Sequence, residues 1–341
     1  MLQSSDSFST VPQNLDSAYQ VIASELKHLE NLMREELSSN IAFVDDVVRY
    51  AFRLGGKRLR PSLLLLIGKT LAPIVPEHFL LASAIELIHT ATLIHDDILD
   101  GAEIRRHLQT MNHKWNAEVS VMAGDYLLAK SMEMVTRLDN IDAYRILSTS
   151  CRETCYGELY QLGTCSQFHI TLMEYEQMIA AKTAALIESA CHLGAVYAGA
   201  SESTIRVFRN FGKNLGMAFQ MVDDVLDIVG EESQMGKTLG TDLVKKKPTL
   251  PLILFLESLE AAERKSVTGE LLIRSGDRDF VAEIAARIKN SGSTDAAMNL
   301  ARNLILDAVA QIETIPLQEI VSSEAFQSLV TIARFVVERK I

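Results

Sequence analysis

Residues 91–100 read Ala-Thr-Leu-Ile-His-Asp-Asp-Ile-Leu-Asp, an apolar run that ends in three carboxylates. Read as helix, Asp96 and Asp100 lie four apart on one face. The pattern recurs at 219–227, Phe-Gln-Met-Val-Asp-Asp-Val-Leu-Asp, where Asp223 and Asp227 form the same pair beside Asp224. Like charges at this spacing repel and destabilise a bare helix. Two such clusters make sense if cations sit between them.

Working outward, helical periodicity fills the chain and strand alternation is almost absent. The spacing predicts helices over 15–37, 41–54, 60–71, 77–99, 117–137, 140–164, 171–199, 203–229, 248–260, 261–274, 278–290, 294–314 and 317–338. Gly55-Gly56, Pro73 to Pro76, the polar stretch 101–116 and Asn290 to Ser293 break it. No Pro/Ser/Gly-rich linker divides the chain. The expected architecture is all-α: a loose tail at 1–14, then one domain over 15–341, an antiparallel bundle of about 13 helices. The acidic copies look like facing walls of one cavity.

At 341 residues, 48% hydrophobic and 23% charged, the chain can bury a substantial core. A net charge of −11 argues against a general nucleic-acid binder and makes local basic clusters informative. Cys151, Cys155, Cys165 and Cys191 lack CxxC spacing and read as reduced core thiols, which fits a cytoplasmic protein. The first 20 residues hold two Asp and no Lys or Arg, wrong for a signal peptide. No apolar run reads as long and charge-free enough for a membrane span.

Small clusters of hard oxygen ligands suit Mg²⁺, which keeps waters and is shared with substrate phosphates. Zinc is disfavoured, because no His/Cys set accompanies the carboxylates. Gly55-Gly56-Lys57-Arg58-Leu59-Arg60-Pro61 joins two helices and places three cations at a helix start, an anion site or, taken alone, a basic surface turn. Arg105-Arg106 follows the first acidic cluster, as an anion grip or as charge compensation. Lys237, in a glycine-bearing loop, and Lys245-Lys246-Lys247 follow the second, as a closing loop or a solvated one. His89 lies two turns before Asp96 inside an apolar helix, where a core histidine is the default. Lys182-Thr183 interrupts an apolar pattern; an inward lysine there needs an anion, and an outward one snorkels. Gln220, one turn before Asp224, reads alone as a helix–helix hydrogen bond.

Together these stretches resemble the trans-prenyltransferases, the all-trans polyprenyl diphosphate synthase family, from about Asp45 to the C-terminus. The landmarks are GGKRLRP (55–61), LIHTATLIHDDILD (87–100), RR (105–106), GDYLLAK (124–130), GELYQL (157–162), KTAAL (182–186), FGKNLGMAFQMVDDVLD (211–227), GKTLGTDL (236–243) and KPTLP (247–251). The resemblance implies the isoprenoid synthase fold around a deep central cavity, and a homodimer. It implies that Asp96, Asp97, Asp100, Asp223, Asp224 and Asp227 bind Mg²⁺ gripping an allylic diphosphate. Lys57, Arg60, His89 and Arg106 would bind isopentenyl diphosphate. Arg105, Lys182, Lys237 and Lys247 would hold the allylic diphosphate, with Thr183 and Gln220 lining the reacting carbons. The implied reaction is ionisation, condensation and proton loss, with released diphosphate as the base. Three positions depart from the family pattern: His107, Asn116 and Lys246 stand where Gly is usual.

On the helix ending at Asp96, one turn rises about 5.4 Å, close to one isoprene unit. Ala91 and Thr92 are small where short-chain members carry bulk, and Ile88 lies one turn deeper. The expected product is therefore long, roughly 30 to 45 carbons, several helix turns of channel. The alternatives are a short-chain geranylgeranyl or farnesyl diphosphate synthase, a non-catalytic subunit of a heteromeric synthase, and a class I terpene cyclase. A cyclase has no need of the isopentenyl site.

Overall fold

A computed structural model describes residues 15–230 and 240–339. The tail expected at 1–14, and Lys237, lie outside the described residues. The chain begins with α1 (Leu15–Tyr19), a 3₁₀ turn and α2 (Ala23–Glu36), followed by α3 (Ala42–Leu54), α4 (Leu59–Leu71) and α5 (Pro76–Leu99). A two-stranded ribbon, β1 (Ile104–Arg105) with β2 (Leu108–Gln109), leads into α6 (Met111–Lys114), α7 (Ala117–Thr136) and α8 (Ile141–Thr164). Then come α9 (Leu172–Ile179), a π-helical turn (Ala180–Ala184), α10 (Ala185–Tyr197) and α11 (Glu202–Val229). The described chain resumes with α12 (Thr241–Val244), α13 (Leu250–Ser258), α14 (Ala261–Arg274), α15 (Arg278–Asn290), α16 (Ser293–Ile312) and α17 (Ser323–Glu338).

Local chemistry sets many of these boundaries. Asn140, Thr171, Ser201, Asp277 and Ser322 accept backbone N–H groups at the starts of their helices. Pro76 occupies the first position of α5, where its missing N–H costs nothing. Most helices bury their apolar residues in one large core, and a smaller cluster of Ile228, Leu243, Phe255, Leu271, Phe280 and Ile288 lies under α12 to α15. The helices α5 and α11, which end in the acidic motifs, both pack against α10. Each also has a long partner on its other flank, α7 for α5 and α16 for α11.

The all-α expectation holds, with local corrections. The ribbon and α6 occupy the stretch read as a polar break, and α12 sits beside the expected loop. The run expected over 171–199 is interrupted by the π turn, and the last run splits into a 3₁₀ turn at Leu317–Glu319 and α17. The expectation that no segment could span a membrane is also corrected. Pro76–Leu99 and Leu172–Tyr197 are long and apolar enough by length and composition, though 67% of each apolar window is buried within the fold. Burial on all sides removes the polar face of such helices. All four cysteines are free thiols, but only Cys191 is a core residue; Cys155 is exposed.

Candidate functional site: paired carboxylates and a cation-lined cavity

The first acidic motif ends α5, with Asp100 as the residue that closes the helix. Asp97 is buried and accepts Arg105 Nε at 2.9 and 3.0 Å on its two oxygens. Burial nevertheless raises its carboxyl above the ordinary range, against the pull of Arg105. Asp100 accepts Lys245 Nζ at 2.9 Å and Lys247 Nζ at 3.2 Å. Burial pushes Asp100 up, but the two lysines outweigh it and hold the group below its usual value. Asp96 goes the other way: burial, helped by Glu158 and Asp100 and opposed by Lys182, raises it to about 6.

The second motif lies near the end of α11 and is held differently. Asp223 accepts Arg339 Nη1 at 2.9 Å, just beyond α17. Asp224 is buried and accepts three protein donors: Tyr175 Oη at 2.7 Å, Gln220 Nε2 at 2.9 Å and the Leu250 N–H at 3.2 Å. Burial and Asp242 raise it to about 7 against those donors, and burial beside Asp224 pushes the Tyr175 hydroxyl well above its range. Asp227 is buried too; it accepts Thr241 Oγ1 at 2.7 Å and the Asp242 N–H at 3.0 Å, capping α12.

The π turn explains how Lys182 and Thr183 enter the site. One extra residue in the turn re-aims the side chains it carries. Lys182 Nζ reaches Glu158 at 2.5 Å and Gln161 Oε1 at 2.6 Å on α8, and its charge acts on Asp96. Thr183 donates to Gln220 Oε1 at 2.7 Å. A Cβ on Gly157 would lie 2.3 Å from the Lys182 nitrogen, so only glycine lets α8 approach the turn this closely. Lys182 is therefore inward, one of the two readings left open, and Gln220 joins two elements by a hydrogen bond.

Lys57, Arg60, His89 and Arg106 converge on one cavity of about 210 Å³, together with Arg58, Glu86, Phe219 and Arg339. His89 is held neutral: burial and then Arg60, Arg105, Arg106 and Arg58 keep it well below its ordinary pKa. Burial also draws Arg60 down to about 10, and its Nε is buried without a hydrogen-bond partner. The Nη2 of Arg339 is likewise buried and unpartnered, while its guanidinium lies 4.0 Å over the Phe219 ring. Buried guanidinium groups with unmet donors suit an anion.

The loop that carries these cations is built unexpectedly. Its left-handed residue is Arg58, at φ 54°, rather than either glycine. Arg58 pairs with buried Glu86 at 2.7 Å. Gly56 leaves room for Arg106, whose guanidinium would lie 2.5 Å from a Cβ there. Arg106 reaches that place from the tip of the β-ribbon.

Among the described residues, no three His, Cys, Asp or Glu side chains converge as a closed metal cage. The donor set is all carboxylate oxygen, which fits a hard cation that keeps waters and shares ligands with phosphate. Ala91 and Ile88 are buried in the main core; Thr92 is half-buried, its hydroxyl on the His89 carbonyl at 2.8 Å. Sequence reasoning missed Arg339, Glu158 and Tyr175. The C-terminal basic character hints at the first and the GELYQL landmark contains the second. Tyr175 carries no signal beyond an apolar helical position.

The chain matches a family model described as Polyprenyl synthetase over residues 41–287. It is 31% identical over 323 residues to heptaprenyl diphosphate synthase component 2 of Bacillus subtilis (strain 168), covering 95% of this chain and 90% of that protein. It is 35% identical over 290 residues to the short chain isoprenyl diphosphate synthase of Methanothermobacter thermautotrophicus, covering 84% and 87%. The fold superposes with a TM-score of 0.89 on a polyprenyl synthase from Caulobacter crescentus CB15 complexed with calcium and isoprenyl diphosphate, at 29% identity, covering 96% and 98%.

Proposed function

The chain belongs to the polyprenyl synthetase family, and from that premise we propose that it is a Mg²⁺-dependent all-trans polyprenyl diphosphate synthase with a long product. It is a prenyltransferase; the metal, the residue roles and the product length are our reading. The observation that carries it is the presence of two anion sites side by side. One is the cavity of Lys57, Arg60, His89 and Arg106. The other is the set of cations that now sit on the acidic motif and its neighbours, Arg105, Lys182 and Lys247. Condensing two diphosphate substrates needs both.

Asp96, Asp100 and Asp223 are the carboxylates we assign to the metal directly, with Asp97 turned toward Arg105. Asp224 and Asp227, whose oxygens are used by buried donors, would hold the second motif in place. Held by Asp96, Asp100 and Asp223, Mg²⁺ would supply charge neutralisation to the leaving diphosphate, easing ionisation of the allylic C–O bond. Lys182, Lys247 and Arg105 would exchange their carboxylate partners for phosphate oxygens. Neutral His89 can donate one N–H to the isopentenyl diphosphate without adding to the crowded positive charge. Apolar walls exclude water from the allylic cation.

Small Ala91 and Thr92 favour a long product, as does the relative named a heptaprenyl synthase, while the relative named a short chain synthase marks the alternative. We further propose self-association through α7 and α8, which expose Met122, Tyr126, Tyr156 and Leu159. The name "component 2" favours a second reading, a catalytic subunit that needs a different partner on that face.

The test is mass spectrometry of products from purified protein with Mg²⁺, isopentenyl diphosphate and farnesyl diphosphate. A ladder ending at roughly 35 to 45 carbons supports the reading, and a stop near 20 keeps the reaction but moves the channel floor toward Asp96. A folded protein that condenses nothing alone supports the partnered subunit.

A further inference from the structure

Tyr175 is among the largest fully buried side chains of the protein, with no exposed surface. Its hydroxyl donates to Asp224 Oδ2 at 2.7 Å, and the Leu250 N–H donates to the same oxygen at 3.2 Å. Asp224 Oδ1 accepts Gln220 Nε2 at 2.9 Å. With its amide nitrogen donating there, Gln220 turns its oxygen to Thr183 and accepts the hydroxyl at 2.7 Å. With Asp224 ionised, the reverse orientation of the amide would set its oxygen against the carboxylate. Every hydrogen in this chain thus points toward Asp224. The hydroxyl proton of Thr183 is used by Gln220, and only its lone pairs remain for what lies on its other side. Four elements meet here: α9, the π turn, α11 and the start of α13.

We propose that Tyr175 is a positioning residue of the condensation reaction: by anchoring Asp224 it fixes the direction of the Asp224–Gln220–Thr183 chain, so that Thr183 presents oxygen lone pairs to the allylic carbon as that carbon becomes positive. The inference rests on the reading above that Thr183 and Gln220 line the reacting carbons. A fixed dipole with its negative end toward developing positive charge lowers the barrier without reorganising during the reaction. A Thr183 free to rotate would spend part of its time with O–H toward the cation. Tyr175 itself touches no substrate; it acts through Asp224.

Tyr175→Phe keeps the ring and removes only the donor. Steady-state kinetics with both substrates and Mg²⁺ should show kcat lowered about 10- to 100-fold, with the isopentenyl KM changed by no more than about twofold. The double variant Tyr175→Phe/Thr183→Val should be no slower than Thr183→Val, because both act through one chain. Wild-type kcat in Tyr175→Phe, or losses that multiply in the double variant, would overturn the proposal. A purely structural role would instead move both KM values together with the melting temperature, and that result also overturns it. If the wild-type protein condenses nothing, the functional reading fails on its own, and urea unfolding of the same four proteins without metal decides the network. Non-additive midpoints support the anchored chain and additive ones overturn it.

Discussion

The two acidic motifs carry the same five-residue pattern and are held in opposite ways. In the first, Asp97 and Asp100 meet charged side chains from outside their own helix: Arg105 on the ribbon, and Lys245 and Lys247 beyond α12. In the second, Asp224 and Asp227 are buried and meet a phenol, an amide, a hydroxyl and two backbone N–H groups. Long cationic side chains that are only half-buried are exchangeable partners, whereas buried hydroxyl and backbone donors are fixed ones. One pattern is therefore held in two different ways. On the proposed function, the first motif would trade protein cations for metal and phosphate. The second is arranged to stay still, with only Asp223 and its Arg339 partner resembling the first.

The sharpest way to break this comparison is to neutralise one carboxylate of each kind. Asp100→Asn should lower kcat by about 10³-fold or more, because it removes several kcal/mol of metal-mediated charge stabilisation. Its melting temperature without metal should fall less than that of Asp227→Asn, since Lys245 and Lys247 keep part of their side chains in solvent. Asp227→Asn should do the reverse in emphasis. An amide cannot accept from both Thr241 and the Asp242 N–H through two equivalent oxygens, so stability should fall by about 1–3 kcal/mol. Thermal melts beside steady-state rates check both. Equal melting temperatures with equal losses of rate would show that the motifs are functionally alike.

Arg339→Ala probes the residue at which the two arrangements overlap. The side chain lines the cation cavity and also pairs with Asp223. The isopentenyl diphosphate KM should rise about tenfold, typical of losing one charge-assisted contact of 1.5–3 kcal/mol in part. The allylic KM should stay within about twofold of wild type on the same argument. A matching rise in both would place Arg339 with the fixed donors of the second motif.

A titration sharpens the first motif further. Asp96 is raised from 3.8 to about 6, chiefly by burial. The native state then binds more protons than the unfolded chain between those values. Its contribution to stability is fully present below pH 3.8 and lost as pH rises through about 6. Asp96→Asn removes that titration. Without metal the variant should match wild type near pH 4 and exceed it above pH 6, by about 2 kcal/mol after allowing for solvent screening. Urea unfolding across that range measures the difference. Adding Mg²⁺ with inorganic diphosphate should close the gap by stabilising the wild type alone. A constant difference at all pH values would sink the argument.

Much of this was legible in the sequence, because helix spacing and charge are local. The apolar runs gave the bundle, and the carboxylate and cation landmarks named the residues that do meet. What was hidden depends on where separate elements land. Nothing around Ala180–Ala184 announces a π turn, since it follows from how closely Gly157 lets α8 approach. Tyr175 and Arg339 acquire meaning only when α9 and the end of α17 are brought to α11. Glu86, which carries no signal in the sequence, and Arg58 of the basic turn prove to be one buried pair. The polar stretch 101–116 was read as a break because a two-residue strand is too short to show alternation.

The smallest expected effect compares the loops that follow each motif. His107 and Lys246 stand where the family pattern has glycine, and both are left-handed, at φ 64° and 57°. Arg106 and His107 form the two-residue tip between β1 and β2, both with positive φ, as a type I′ turn requires. Such backbone costs a non-glycine residue roughly 1–2 kcal/mol, part of which glycine returns through its freer unfolded chain. Asn116, the third departure, is compensated: its side chain caps α7 by accepting the Val119 N–H at 2.8 Å. His107 is exposed and makes no side-chain hydrogen bond among the described residues, so His107→Gly should raise stability by about 0.5–1 kcal/mol. Lys246 recovers part of its strain, because its Nζ donates to the Leu272 carbonyl at 2.9 Å. Lys246→Gly should therefore gain less than His107→Gly, with melting temperatures about 1–3 °C apart at most. If Lys246→Gly proves the more stabilising, the lysine contact is worth nothing and the loop after the second motif is as exchangeable as the one after the first.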